Sequence, residues 1–186
     1  MDRIVIPLAE GFEELEAITV TDLLRRARLD VVTAGLAGGV VTGSRGTTVI
    51  PDTVIENTLH YPVGMVVLPG GQPGSDNLDR DERVHSLLHS TFSRGGYVAA
   101  ICAAPKVLAR AGLLKGRRAT AFPGVLEQMA LRDTALCPEP VVCDDRVITS
   151  RGPGTAMDFA LVLIETAAGR SRRIEVESQL QRSGQG

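Results

Sequence analysis

The chain has 186 residues, 44% of them hydrophobic and 23% charged, with a formal net charge of −2. That size and balance describe one globular domain with room for a sizeable core. They exclude a basic footprint for nucleic acid, and an aromatic content of 3% without Trp excludes a base-stacking surface.

Met1-Asp2-Arg3-Ile4 runs straight into a strand pattern, with no signal-peptide apolar region and no run long enough to span a bilayer. A cytoplasmic location with no membrane contact is expected. Arg3 to Leu8 reads as a first strand, apolar throughout as central parallel strands are. Ala9 to Phe12 is a turn. A helix follows from Glu13 to about Arg28, with Leu15, Ile18, Leu23 and Ala27 on or near one face. Its acidic start and basic end both suit the helix dipole. Leu29 to Ala34 is a second strand. Gly35 to Gly39 opens an excursion in which Val40–Thr42 and Thr47–Pro51 form a small hairpin or edge. Gly64 to Leu68 is a third central strand ending at Pro69-Gly70-Gly71, and Asp81 to Phe92 is a helix.

Tyr97 to Ile101 is a short apolar run that ends in Cys102, followed by Ala103, Ala104 and a proline suited to a helix's first turn. A helix is expected from about Ala104 to Ala111. Arg118–Phe122 reads as another strand and Val125–Arg132 as a helix. Val141 to Thr149 is a hairpin turning at Asp144-Asp145. Ser150 to Thr155 leads into a helix over Ala156–Ala168, and a polar helix covers Arg170–Gln181. Residues 1–182 make a single domain, and 183–186 a frayed tail. Strands alternating with helices imply an α/β, flavodoxin-like three-layer sandwich: a mostly parallel sheet with helices on both faces. Ligands in such sheets sit beyond the carboxyl ends of the strands, where Glu16, Gly70-Gly71, Cys102 and Phe122 fall.

Two readings of Cys102 are open on these residues. One is a small core cysteine. The other is a nucleophile at a strand-to-helix elbow, where helix N–H groups favour the thiolate. A nucleophile needs a base and donors for a developing oxyanion. The backbone of Gly70, Gly71 and Ala103 offers donors. The three histidines, His60, His85 and His89, lie away from the predicted strand ends, so a Cys-His arrangement is not supported. His85 and His89 are four residues apart but lack a third metal ligand. Glu16, one turn into the first helix, reads either as the carboxyl partner of the sulfur, with its pKa raised, or as part of a dipole-complementing acidic cluster. Cys102, Cys137 and Cys143 are an odd set without C-x-x-C spacing, which supports neither a zinc site nor a disulfide framework. Cys137 and Cys143 read as bystanders. Gly70-Gly71-Gln72-Pro73-Gly74 is not a phosphate loop, so no nucleotide, flavin or other cofactor is implied.

Four stretches together carry a resemblance: Leu8-Ala9-Glu10-Gly11-Phe12-Glu13-Glu14-Leu15-Glu16-Ala17, Val67-Leu68-Pro69-Gly70-Gly71, Ala99-Ala100-Ile101-Cys102-Ala103-Ala104-Pro105 and Thr149-Ser150-Arg151-Gly152-Pro153-Gly154-Thr155, with Ser44-Arg45-Gly46 in addition. In this order, from about Arg3 to Leu180, the chain resembles the ThiJ/PfpI superfamily, and within it the DJ-type branch with its bacterial YajL-like and protein-deglycase members. The resemblance implies a homodimer, a strained elbow at Cys102, and Glu16 as the sulfur's partner. It places Gly70, Gly71, Ala103 and Phe122 around the pocket, and makes Arg45 and Pro153 pocket or dimer-mate residues. It implies cofactor-free chemistry on methylglyoxal, glyoxal or early glycation adducts of proteins. The alternatives within the branch are a redox-sensing cysteine protein with chaperone activity, and a peptidase. Ala103 stands where peptidase-like members carry a histidine, and Phe122-Pro123 where some members carry a histidine before proline. The first departure argues against peptidase activity; the second removes one acid/base and leaves Glu16 as the principal one.

Overall fold

The computed structural model describes residues 2–182; the expected frayed tail, 183–186, lies outside the described residues. The first half contains β1 (Arg3–Leu8), α1 (Glu14–Arg26), β2 (Val31–Gly35), a hairpin of β3 (Val41–Thr42) and β4 (Thr48–Val49), β5 (Thr53–Val54), α2 (Ile55–Thr58), β6 (Val63–Leu68), α3 (Gly74–Arg80) and α4 (Glu82–Ser93). The second half contains β7 (Tyr97–Ile101), α5 (Pro105–Arg110), β8 (Arg117–Ala119), β9 (Thr134–Leu136), β10 (Val141–Asp144), β11 (Val147–Ser150), α6 (Ala156–Ala168) and α7 (Arg170–Gln179).

Seven strands form one sheet in the order β10-β11-β7-β6-β1-β2-β5. All pairings in it are parallel except the terminal β10–β11 hairpin. Side chains alternate across a strand, and here both faces are buried. Ile4, Ile6, Met65, Val67, Ala99 and Ile101 enter one core with α1 and α6. Val5, Val66, Leu68, Val98 and Ala100 enter the other, with α3, α4 and α5. The continuous apolar runs of the sequence are this two-sided burial. Parallel strands joined through helices on both faces give the flavodoxin-like sandwich.

Several expectations change. The buried stripe of α1 is Ala17, Val20, Thr21, Leu23 and Leu24, while Leu15 and Ile18 are 61% and 45% exposed. The helix packs on α6 and the sheet through this stripe, and Thr21 is tolerated there because its hydroxyl donates to Ala17 O at 2.7 Å. Of the expected 118–122 strand only residues 118 and 119 are extended, as part of β8, which pairs with β9 in a separate two-stranded sheet. The expected 125–132 helix is a single 3-10 turn, Glu127–Met129, closed by Ala130 in the left-handed region (φ 50°). Pro123-Gly124 before it and Ala130 after it leave no room for a second turn. The short helices α2 and α3 were not expected. Their few apolar residues give no helical period, and packing on α4 and α5 holds them in place.

Candidate active site

The sheet order reverses at β1, with β2 on one side and β6 on the other, and a sheet of this topology forms its ligand crevice at the carboxyl ends of the strands beside that reversal, here β1, β6 and β7. Each flank of that crevice brings one element of the site. The end of β7 delivers Cys102 in the left-handed region, φ 63°. A non-glycine residue there carries strain of about 1–3 kcal/mol and persists only when its surroundings fix it. Here they do: Cys102 N–H donates to Ser150 O (2.9 Å), and Cys102 O accepts from Phe122 N–H (2.9 Å). The expected elbow is present.

From α1, the Glu16 side chain enters the same crevice, fully buried. Its Oε2 accepts from Gly70 N–H at 2.7 Å, and Glu13 N–H donates to Gly70 O at 3.0 Å. The Gly70 peptide is therefore held from both sides by the first turn of α1. This revises the expected donor set, since Gly70 N–H serves Glu16 and is not free for an oxyanion. A Cβ on Gly70 would lie 2.7 Å from the Cys102 Cβ and 2.8 Å from Glu16 Oε2, so only glycine admits both side chains. Gly71, at φ +91°, turns the chain against the first turn of α1, where a Cβ would meet Glu13 N at 2.4 Å.

Burial pushes the Glu16 carboxyl up to about 7, with the charge of Glu13 adding to it; Gly70 N–H and the Cys102 contact oppose. Oε1 has no hydrogen-bond partner. The thiol lies near enough to influence it without meeting hydrogen-bond geometry. Burial also pushes the Cys102 thiol up, to about 12, and the neighbouring Glu16 carboxylate raises it further. The backbone N–H groups of Ala103 and Gly71 favour the thiolate but do not prevail. This corrects the expectation of a depressed thiol pKa: α5 has only six residues, and its N-terminus cannot offset burial beside a carboxylate. The two groups form one acid–base pair whose first proton leaves near neutrality.

Phe122 is half exposed, beside the sulfur. A Cβ placed on Gly152 would be 3.4 Å from its ring and 4.0 Å from Cys102 Sγ, so the Gly152 backbone borders the opening. Two hydroxyls that the sequence reading did not single out hold that backbone. Thr155 Oγ1 donates to Gly152 O (2.9 Å), lies 3.1 Å from Gly152 N–H and meets Ser150 Oγ at 2.7 Å. The hydroxyl residues flanking Arg151-Gly152-Pro153-Gly154 were the available signal. Pro153 begins the 3-10 turn one residue beyond Gly152. Arg45 is exposed, its loop tied to α1 by Arg45 N–H donating to Glu14 Oε1 (2.8 Å); its guanidinium is not among the groups acting on Cys102 within its own chain. His85 Nε2 lies 2.9 Å from Asp79 O, away from the pair, and His89 is exposed. Cys137, half-buried, donates to Ala135 O at 3.4 Å, and Cys143 is exposed.

Comparison with known proteins gives a consistent result. The DJ-1/PfpI family pattern matches residues 2–166. The chain is 42% identical to Drosophila melanogaster protein dj-1beta over 177 residues, covering 95% of each. The crystal structure of Drosophila DJ-1beta superposes with a TM-score of 0.92, covering 96% of each chain at 40% identity. Caenorhabditis elegans "glutathione-independent glyoxalase DJR-1.2" is 36% identical over 160 residues, covering 86% of this chain and 85% of that protein. The structure of Toxoplasma gondii DJ-1, described as oxidized, has a TM-score of 0.92 at 32% identity, covering 97% of this chain and 98% of that one. No helix among the described residues is long and apolar enough to cross a membrane.

Proposed function

The chain belongs to the DJ-1/PfpI family, and from that premise we propose that it is a cofactor-independent cysteine enzyme converting reactive dicarbonyls, methylglyoxal or glyoxal, to hydroxy acids. Early glycation adducts that such aldehydes form on proteins are the related substrate class. The carrying observation is the Glu16 carboxyl buried beside Cys102, with an unpartnered oxygen and a pKa near the working pH. The nematode relative is named a glutathione-independent glyoxalase, and a thiol beside a titratable carboxyl is suited to such chemistry.

In this reading Glu16 carboxylate takes the thiol proton as sulfur bonds to the aldehyde carbon of methylglyoxal. The Glu16 proton passes to the carbonyl oxygen, giving a hemithioacetal. Glu16 then removes the hydrogen from that carbon and returns a proton to the adjacent one, while the hydroxyl proton moves from the first carbon's oxygen to the former ketone oxygen. The aldehyde carbon is thereby oxidised to a thioester and the ketone carbon reduced to an alcohol, with no external electron carrier. Water cleaves the thioester, releasing lactate and the free thiol. Ala103 and Gly71 N–H groups face the sulfur side, where the oxyanion develops. Purified protein should convert methylglyoxal to lactate in buffer free of any small thiol. A protein that leaves methylglyoxal unconsumed there lacks the activity. The protein acts as a homodimer in this reading, with the exposed Leu15 and Ile18 of α1 and the Arg45 loop at the interface. A peptidase reading lacks its base, since no histidine acts on the pair.

A second reading uses the same pair. Oε1 of Glu16 has no partner, so an oxygen on an oxidised Cys102 would meet an available carboxyl, and a DJ-1 relative has been crystallised oxidised. Intact-mass and peptide analysis after mild peroxide should then place added oxygen on Cys102 before Cys137 and Cys143. Equal oxidation of the three would remove redox sensing from consideration.

A further inference from the structure

A second cavity lies at the carboxyl ends of β1 and β2, away from the Cys102 pair. Its volume is about 330 Å³ and it is mainly apolar, lined by Leu8, Leu36, Val40 and Val41 among others. That is the size of a small-molecule pocket, at the end of the sheet where this class of fold binds ligands.

Two opposite charges border it. Arg80, at the end of α3, lines the cavity, and the carboxylates near it in sequence are already engaged: Asp76 with Lys106, Asp79 with Arg110 and Asp81 with Arg83. No ion pair or hydrogen bond engages its guanidinium among the described residues. Glu10 stands on the β1–α1 turn. Its Oε2 accepts from Thr42 N–H at 3.1 Å, which holds the carboxylate against the β3 hairpin; Oε1 accepts nothing among the described residues. Glu10 and Arg80 line the same hollow and do not pair with each other.

An apolar hollow with a free cation and a fixed, half-used carboxylate matches a zwitterion carrying an apolar group. We propose that this cavity binds a free α-amino acid with a branched aliphatic side chain. The carboxylate pairs with Arg80 and the ammonium with Glu10, while the side chain rests on Leu8, Leu36 and Val41. Arg suits a carboxylate because its planar fork can bind both oxygens. Each charge favours a ligand that carries its counterpart, because a ligand lacking one charge forgoes one of the two ion pairs.

The test is a ¹H–¹⁵N NMR titration of the intact protein with L-leucine at millimolar concentration, following the Leu36, Val40 and Val41 amides. Saturable shifts confined to this cavity are expected. Arg80→Gln and Glu10→Gln should each weaken binding by at least about tenfold. Neither should unfold the protein. Arg80 is exposed, and the amide oxygen introduced by Glu10→Gln remains an acceptor for Thr42 N–H. In wild type, 4-methylpentanoate, which lacks the ammonium, and isopentylamine, which lacks the carboxylate, should bind at least about tenfold more weakly than leucine. The absence of saturable shifts overturns the proposal. So does leucine binding unchanged in either variant, or 4-methylpentanoate binding as tightly as leucine, which would make the cavity a monocarboxylate site.

Discussion

Replacing Cys102 by Ser is expected to lower methylglyoxal turnover by at least about a thousandfold, and Glu16→Gln by roughly a hundred- to ten-thousandfold. Serine keeps the size of the side chain at the elbow but removes the polarisable sulfur that forms the hemithioacetal. In Glu16→Gln the side-chain amide oxygen still accepts from Gly70 N–H, so the Gly70 peptide stays between α1 and β7, but the amide can neither take nor return a proton. Both variants should therefore melt cooperatively and retain wild-type circular dichroism, separating lost chemistry from lost structure. The wild-type kcat/KM should rise with pH through about 7, because in the proposed mechanism the carboxylate form of Glu16 is the base and its carboxyl ionises there. A Glu16→Gln protein turning over within a few-fold of wild type would leave Cys102 acting without it and overturn the mechanism.

Much of the site was legible in the sequence because it consists of short-range choices. An apolar run stopping at a cysteine followed by small residues and proline specifies an elbow, and φ 63° at Cys102 is that elbow. Gly70 and Gly71 follow a central strand, and the structure gives each a reason to lack a Cβ. What the sequence did not show depends on long-range packing. The thiol's direction of titration is set by burial and by a carboxylate far earlier in the chain, which outweigh the local helix end. Gly70 N–H looked like an oxyanion donor until Glu16 was placed across it. Leu15 and Ile18 follow the helical period yet face outward, because the face of α1 that packs on α6 and the sheet is the one carrying Val20, Leu23 and Leu24. The 125–132 segment has helix-forming residues but is fixed by the turns at its two ends.

Glu16→Gln should also stabilise the protein above neutral pH while abolishing its work. The folded Glu16 carboxyl ionises at about 7 against an ordinary value of 4.5. A raised pKa means that protonated Glu16 is compatible with burial and ionised Glu16 is not. Its favourable contribution is fully present below about pH 4.5 and is lost as pH rises through about 7. The difference corresponds to about 3 kcal/mol. Chemical denaturation should find the variant and wild type alike below about pH 4.5 and the variant more stable by that order above about pH 8. Burial and the Glu16 charge push the Cys102 thiol up to about 12, and the substitution removes the second of these, so Cys102 should be alkylated with a lower pH midpoint in the variant than in wild type. Turnover and alkylation should thus move in opposite directions: the sulfur becomes easier to ionise as the proposed turnover is lost. If the variant's thiol instead ionised at higher pH than wild type, Glu16 would have to be a donor that stabilises the thiolate. The pair would then react from its protonated-carboxyl form, and the pH–rate profile should fall rather than rise through about 7.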